Sequence, residues 1–259
     1  MLSSSTLSLS DGAIWRADAL AQSSGTVVAT GHAALDAQLP GGGWPVGALV
    51  EVLQPAGLHC EWQLLLPALM QRQKAEPSGA QRQLVLVGAP FMPFGPGLAG
   101  RGLLPQQVLC VQAGTALERL WAAEQALHCT AVAAVLLWLP QVRAEHLRRL
   151  HAAAASHQTL LFVMRPAQAQ DQSSPAVLRL ALQAGSDDKP HLQGLKLIKR
   201  RGPPLQELLH IPAAPARLSA LMACPVAEKP PHRAVFPSDD GHLPVTTTGH
   251  ALDRLAVQR

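Results

Sequence analysis

Nine consecutive apolar residues, Ala131 to Leu139 (AVAAVLLWL), constrain this chain most. The run is far shorter than the roughly 20 residues that cross a bilayer as a helix. It shows no apolar–polar alternation either. It therefore predicts a strand buried on both faces, as in the centre of a parallel sheet covered by helices. Its neighbours agree. Thr115 to His128 predicts a helix, with Thr115 and Glu118 at capping-box spacing, where each side chain satisfies a free amide at the other residue. Leu117, Leu120, Trp121 and Leu127 recur at helical spacing and define its expected buried face. Val142 to His157 predicts a second helix with a basic side, and Thr159 to Met164 a further strand.

The same alternation extends both ways. Ala48 to Leu53, Gln83 to Val87, Val108 to Val111, Val177 to Leu182 and Leu192 to Ile198 read as strands. Glu61 to Lys74 reads as a helix that Pro67 kinks or delays. Strand–helix alternation predicts an α/β fold with a central, mostly parallel sheet covered by helices. No internal repeat is present. The chain divides into an N-terminal extension, 1–26, with a short helix over Asp11 to Gln22; a core, 27–212; and a Pro-rich tail, 213–259. The tail is expected to be disordered. Val235, Phe236, Leu243, Val245, Leu252 and Leu255 are its apolar anchors for a partner.

Composition removes several classes. Of 259 residues, 48% are hydrophobic and 15% charged, which excludes collagen-like, coiled-coil and highly charged disordered chains. Aromatics make up 3% and Tyr is absent, against the stacking platforms of an aromatic single-strand binder. The start of the chain carries no early basic residue or long apolar stretch, so no secretory signal is expected. Cys60, Cys110, Cys129 and Cys224 lack motif spacing and are expected as reduced thiols in the cytoplasm. The pairs His59–Cys60 and His128–Cys129 lack ligand spacing, and His146, His151 and His157 do not share a helix face. No metal is expected, and no G-x-S-x-G nucleophile element occurs.

The segment Thr30 to Leu53, TGHAALDAQLPGGGWPVGALVEVL, resembles the opening of the RecA-type recombinase fold. Thr30, Gly31, Leu35 and Asp36 fill its first element. Gly41, Gly42, Gly43, Pro45 and Gly47 fill its turn, and Ala48 to Leu53 its first strand. In that fold a phosphate loop, G-x-x-x-x-G-K-[ST], follows: backbone amides wrap the phosphates, Lys neutralises them and the hydroxyl holds magnesium. In this register the two glycines are Gln54 and His59, the Lys is Cys60, and the Ser/Thr is Glu61. An anion thus stands where phosphate and metal would sit, at a helix start whose amides and dipole it can satisfy. The water-activating Glu after the second strand is missing from Gly88-Ala89-Pro90-Phe91. The metal-binding Asp at the end of the central strand is replaced by Trp138. The site is therefore expected to be degenerate, with no nucleotide cofactor and no enzymatic activity.

Two basic features stand apart. Lys199, Arg200 and Arg201 follow a late strand, with Lys196 before them, and Arg148 and Arg149 lie on the helix after the central strand. They are candidates for contact with DNA backbone or an acidic partner; a solvated surface is the alternative.

Over residues 14–212 the chain resembles the ImuA family of bacterial damage-induced mutagenesis proteins. The resemblance rests on Ile14-Trp15-Arg16, Thr30 to Leu53, Leu64 to Leu69, Leu120 to Leu127 (LWAAEQAL), Leu147 to Leu150, Leu161-Phe162 with Arg165-Pro166, and Lys199 to Gly202 (KRRG). It implies a RecA-like accessory protein that does no recombinase chemistry. Its implied partners are ImuB, an inactive Y-family polymerase relative, an error-prone C-family polymerase α subunit and RecA, with DNA touched weakly or indirectly. The implied location is the cytoplasm, on the nucleoid during damage, with no membrane contact. It supplies no catalytic residues. Two other readings compete. One is a SulA-like division inhibitor acting on FtsZ, against which the length argues. The other is a divergent RecA-like ATPase, in which Lys74 or a neighbouring subunit's arginine replaces the missing cation.

Overall fold

The computed structural model describes residues 25–74, 82–185, 192–202, 205 and 207–213. The expected helix over Asp11 to Gln22 and the tail anchors Phe236, Leu243, Leu252 and Leu255 lie outside them. Strand β1 (Val27–Val28) pairs with β2 (Trp44–Pro45) around the short helix α1 (Ala33–Asp36). Then come β3 (Leu49–Gln54), α2 (Glu61–Gln73), β4 (Gln83–Val87), α3 (Gly95–Ala99) and β5 (Val108–Val111). The chain continues through α4 (Ala116–Leu127), β6 (Val132–Trp138), α5 (Ala144–His157) and β7 (Leu160–Pro166). It ends in β8 (Leu178–Gln183), β9 (Leu192–Lys199) and β10 (Leu208–Pro212).

Among the described residues the main sheet has eight strands in the order β10-β9-β8-β3-β7-β6-β4-β5. From β8 to β5 all pairs are parallel, while β8, β9 and β10 form an antiparallel extension. The chain leaves β3 for β4 and β5, then reverses to fill the gap with β6 and β7. Right-handed crossovers place helices from the two directions on opposite faces. Accordingly Val50 and Val52 meet Leu64, Leu65 and Leu69 of α2 on one face. Leu49 joins Ala123, Leu127, Leu147, Leu150 and Ala154 of α4 and α5 on the other. All seven residues of β6 are buried, as the unbroken apolar run requires.

Helix α4 starts at the expected capping box. The Glu118 amide donates to Thr115 Oγ1 (3.2 Å), and the Glu118 carboxylate accepts from the amides of Thr115 (3.1 Å) and Gly114 (2.9 Å). These backbone bonds hold its carboxyl below the usual range. The expected buried face holds for Leu127 and for Leu120, which packs against the core, but not for Leu117 and Trp121. Ala123 and Leu127 face the sheet, whereas Leu117 and Trp121 are 72% and 65% exposed. The helix carries two apolar stripes. Two positions along a helix turn about 200°, so Trp121 points away when Ala123 points in.

Pro67 does not break α2, which runs through it from Glu61 to Gln73. Pro67 has no N–H, so the carbonyl of Gln63, four residues earlier, loses its helical donor. His32 Nε2 lies 3.2 Å from that carbonyl and 3.3 Å from the carbonyl of Leu64. The adjacent Gly31 (φ +82°) packs so closely that a Cβ there would lie 2.3 Å from Pro67 Cβ. Around it, Thr30 N donates to Asp36 Oδ1 (2.8 Å) and His32 N to Thr30 Oγ1 (3.0 Å). The Thr-Gly…Leu-Asp element is thus a structural clamp on the proline of α2.

Candidate functional site

In open α/β sheets ligands bind beyond the carboxyl ends of the strands, where the winding direction reverses. A cavity of about 450 Å³ lies there, lined by the loop from Gln54 to His59 and by Ala89, Arg119, Trp138 and Arg165, among others. Of the sequence-predicted positions, Gln54, His59 and Trp138 line it, whereas Cys60 and Glu61 do not.

The loop is closed on itself. Gln54 ends β3, Glu61 begins α2, and Gln54 Nε2 donates to Glu61 Oε2 at 3.1 Å. Both side chains are buried, Glu61 only 2% exposed. A carboxylate in the first turn of a helix satisfies its positive end. The first turn of α2 thus carries a buried carboxyl group bonded to the other end of the same loop. Outside, the His59 and Phe91 rings meet edge to face, centroids 5.0 Å apart, tying this loop to the one after β4.

Cys60 sits at the N-cap of α2 and makes no side-chain cap. Burial, reinforced by the Glu61 charge, pushes its thiol up to about 11. It is a neutral thiol and supplies none of the positive charge that a phosphate-loop Lys would. Reactivity follows the thiolate. At pH 8, iodoacetamide is expected to label Cys60 roughly 100-fold more slowly than an unperturbed thiol. Peptide mass spectrometry over a time course measures this, and labelling at the ordinary rate contradicts the assignment.

The two arginines that line the cavity also bond to protein groups around it. Arg119 of α4 donates from Nε to the Ala113 carbonyl (3.0 Å) and from Nη1 to the Trp138 carbonyl (3.1 Å). It ties together the ends of β5 and β6. Gly88 leaves room for it, since a Cβ there would lie 2.6 Å from Arg119 Nε. Arg165 donates to Glu51 Oε1 (3.1 Å) and Gln172 Oε1 (2.6 Å). Glu51, fully buried on β3, also accepts from Arg179 Nε at 2.6 Å. Arg179 completes its set on the carbonyls of Gln170 and Ala169. This Arg165–Glu51–Arg179 triad joins β7, β3 and β8 inside the sheet. Lys74 follows α2, whose thirteen residues separate it from the loop by about 20 Å at 1.5 Å per residue. That distance removes it as a replacement for the missing Lys.

Trp138 is 8% exposed and packs in the α2-side core, where the strand would otherwise offer a carboxylate. The candidate basic residues do not form one patch. Arg149 Nη2 pairs with Glu124 Oε2 at 2.6 Å across α4 and α5, while Arg148 is exposed on α5. Lys199 donates to the Ser174 carbonyl and Arg200 to the Gln38 carbonyl. Arg200 and Arg201 line a different cavity with His151, at the start of β3. Burial, aided by the Arg201 charge and opposed by a bond to the Pro175 backbone, lowers the His151 pKa. Among the described residues, no three His, Cys, Asp or Glu gather to hold a metal. No described helix is long and apolar enough to cross a membrane.

Sequence reasoning missed Glu51, Arg165 and Arg179 as a unit, and Arg119 and His32 as positioning groups. The one available signal was a glutamate inside an apolar strand, Leu49-Val50-Glu51-Val52-Leu53. No protein-family model matches the chain, and no curated protein matches it significantly.

Proposed function

We propose that this chain is a non-catalytic accessory protein of damage-induced, error-prone translesion synthesis. It works by contact, joining an inactive Y-family polymerase relative of the ImuB type to an error-prone C-family polymerase α subunit, with RecA as a further partner. It acts in the cytoplasm, at the nucleoid, and meets DNA weakly or through its partners. The observation that carries the non-catalytic half is the Gln54–Glu61 bond, which fills the phosphate-loop position with a buried carboxylate. Neutral Cys60 supports it, and the two arginines that line the cavity already direct donors to the Trp138 carbonyl and to Glu51. The partner half rests on the ImuA resemblance, above all the Leu120 to Leu127 helix and the Lys-Arg-Arg-Gly ending at Gly202.

Deletion of the gene is expected to abolish damage-induced mutation while leaving division after damage unchanged. Complementation with Cys60→Ala is expected to restore mutation fully, because no phosphate contact is lost. The readout is the frequency of induced resistance mutations after ultraviolet exposure, alongside cell length. A folded Cys60→Ala protein that fails to complement contradicts the non-catalytic reading. Unchanged mutation in the deletion strain, with shortened filaments, contradicts the whole proposal and favours a division inhibitor.

A further inference from the structure

Helices α4 and α5 lie side by side on one face of the sheet and enclose a groove of about 430 Å³. Its apolar lining comes from Leu117, Leu120, Trp121 and Leu150. Leu117 and Trp121, one turn apart on α4, are among the most exposed large apolar residues described. Scattered apolar residues are ordinary on a surface; two adjoining ones beside an apolar concavity mark an interaction site. A tryptophan at such a place is the residue type that most often dominates binding energy. The Arg149–Glu124 ion pair spans the two helices beside it.

We infer that this groove receives an amphipathic helix of the polymerase-like partner, through an aliphatic stripe flanked by a Lys or Arg. The inference rests on the adaptor reading and gives it a surface. Geometry selects a helix. Two neighbouring helices of twelve and fourteen residues leave a furrow about 18 Å long, which accepts three helical turns, ridge into groove. Charge selects its sign. Glu124 is matched by Arg149, but Glu118 at the rim bonds backbone amides and, among the described residues, pairs with no cation. Those amides keep it ionised. A partner helix with a basic residue at that end is attracted, and an acidic one repelled.

The test uses the full-length chain and the purified polymerase-like partner in titration calorimetry. The unaltered chain is expected to bind. Leu117→Ala/Trp121→Ala, at exposed positions, is expected to weaken binding at least 100-fold with an unchanged circular dichroism spectrum. Glu118→Gln keeps a hydrogen-bonding cap and removes the charge; it is expected to weaken binding several-fold and flatten its salt dependence. Phe94→Ala, exposed on another part of the surface, is the control and is expected to bind normally. Equal binding by the Leu117/Trp121 variant overturns the groove assignment while leaving the adaptor reading standing. No binding by the unaltered chain overturns the adaptor reading and the groove with it. A dimer of the unaltered chain that the Leu117/Trp121 variant dissolves makes a second copy the occupant and overturns the assignment.

Discussion

Replacing Glu51 with Ala is expected to remove about 3–5 kcal/mol of folding stability, the range for removing one partner of a buried ion pair. Glu51 is fully buried and holds two guanidiniums, Arg165 at 3.1 Å and Arg179 at 2.6 Å. Without it two positive charges remain beside each other in the sheet interior. Arg165 keeps Gln172 and Arg179 keeps the carbonyls of Ala169 and Gln170, but these are neutral acceptors. The loss would consume much of a typical 5–15 kcal/mol. Urea unfolding at neutral pH measures it. Adding Arg179→Met to Glu51→Ala is expected to recover part of the loss, because one uncompensated charge is removed, and the double-mutant cycle isolates the coupling. A loss below about 1 kcal/mol in the single variant would show that Glu51 does not neutralise the triad.

Gly31→Ala is expected to cost about 3 kcal/mol, from two sources. The backbone is left-handed at φ +82°, where a side chain is strained, and the new Cβ would lie 2.3 Å from Pro67 Cβ. Gly42→Ala separates the two. Its φ is +76°, and nothing lies within 4 Å of a Cβ there. It therefore suffers the backbone strain alone, roughly 1 kcal/mol. Thermal or urea unfolding of both variants gives the difference. Equal losses would mean that the Gly31–Pro67 contact is relieved by a small shift and that the clamp on α2 is loose.

The strands were legible because burial on both faces writes itself as unbroken apolar sequence, as in Gln83 to Val87 and Val132 to Trp138. The capping box of α4 was legible because both partners lie three residues apart. Where two answers shared one pattern, the sequence could not choose. Leu117 and Trp121 have helical spacing whether they face the sheet or the solvent, and only the packing of Ala123 against the sheet decides it. Strand β10 was missed because it is a short outer strand with only two buried residues, Leu209 and Ile211.

The loop from Gln54 to Glu61 could be read position by position, but its closure could not. The Gln54–Glu61 bond needs the loop to bring together residues seven apart, and the triad joins Glu51 to residues 114 and 128 positions away. Nothing local marks those arginines as partners. The partners of the basic candidates were not legible for a related reason. Arg148 and Arg149 are adjacent in sequence, yet Arg149 is drawn to Glu124 on α4. Neighbours on a helix point about 100° apart.

In the function proposed above, a chain with a mostly parallel α/β sheet and a loop closed between Gln54 and Glu61 acts by holding polymerases together. Affinity capture of the tagged full-length protein from cells after DNA damage, with the bound proteins identified, tests it most directly. The account predicts recovery of the inactive Y-family relative together with the error-prone C-family polymerase. Recovery of FtsZ without either polymerase would contradict it.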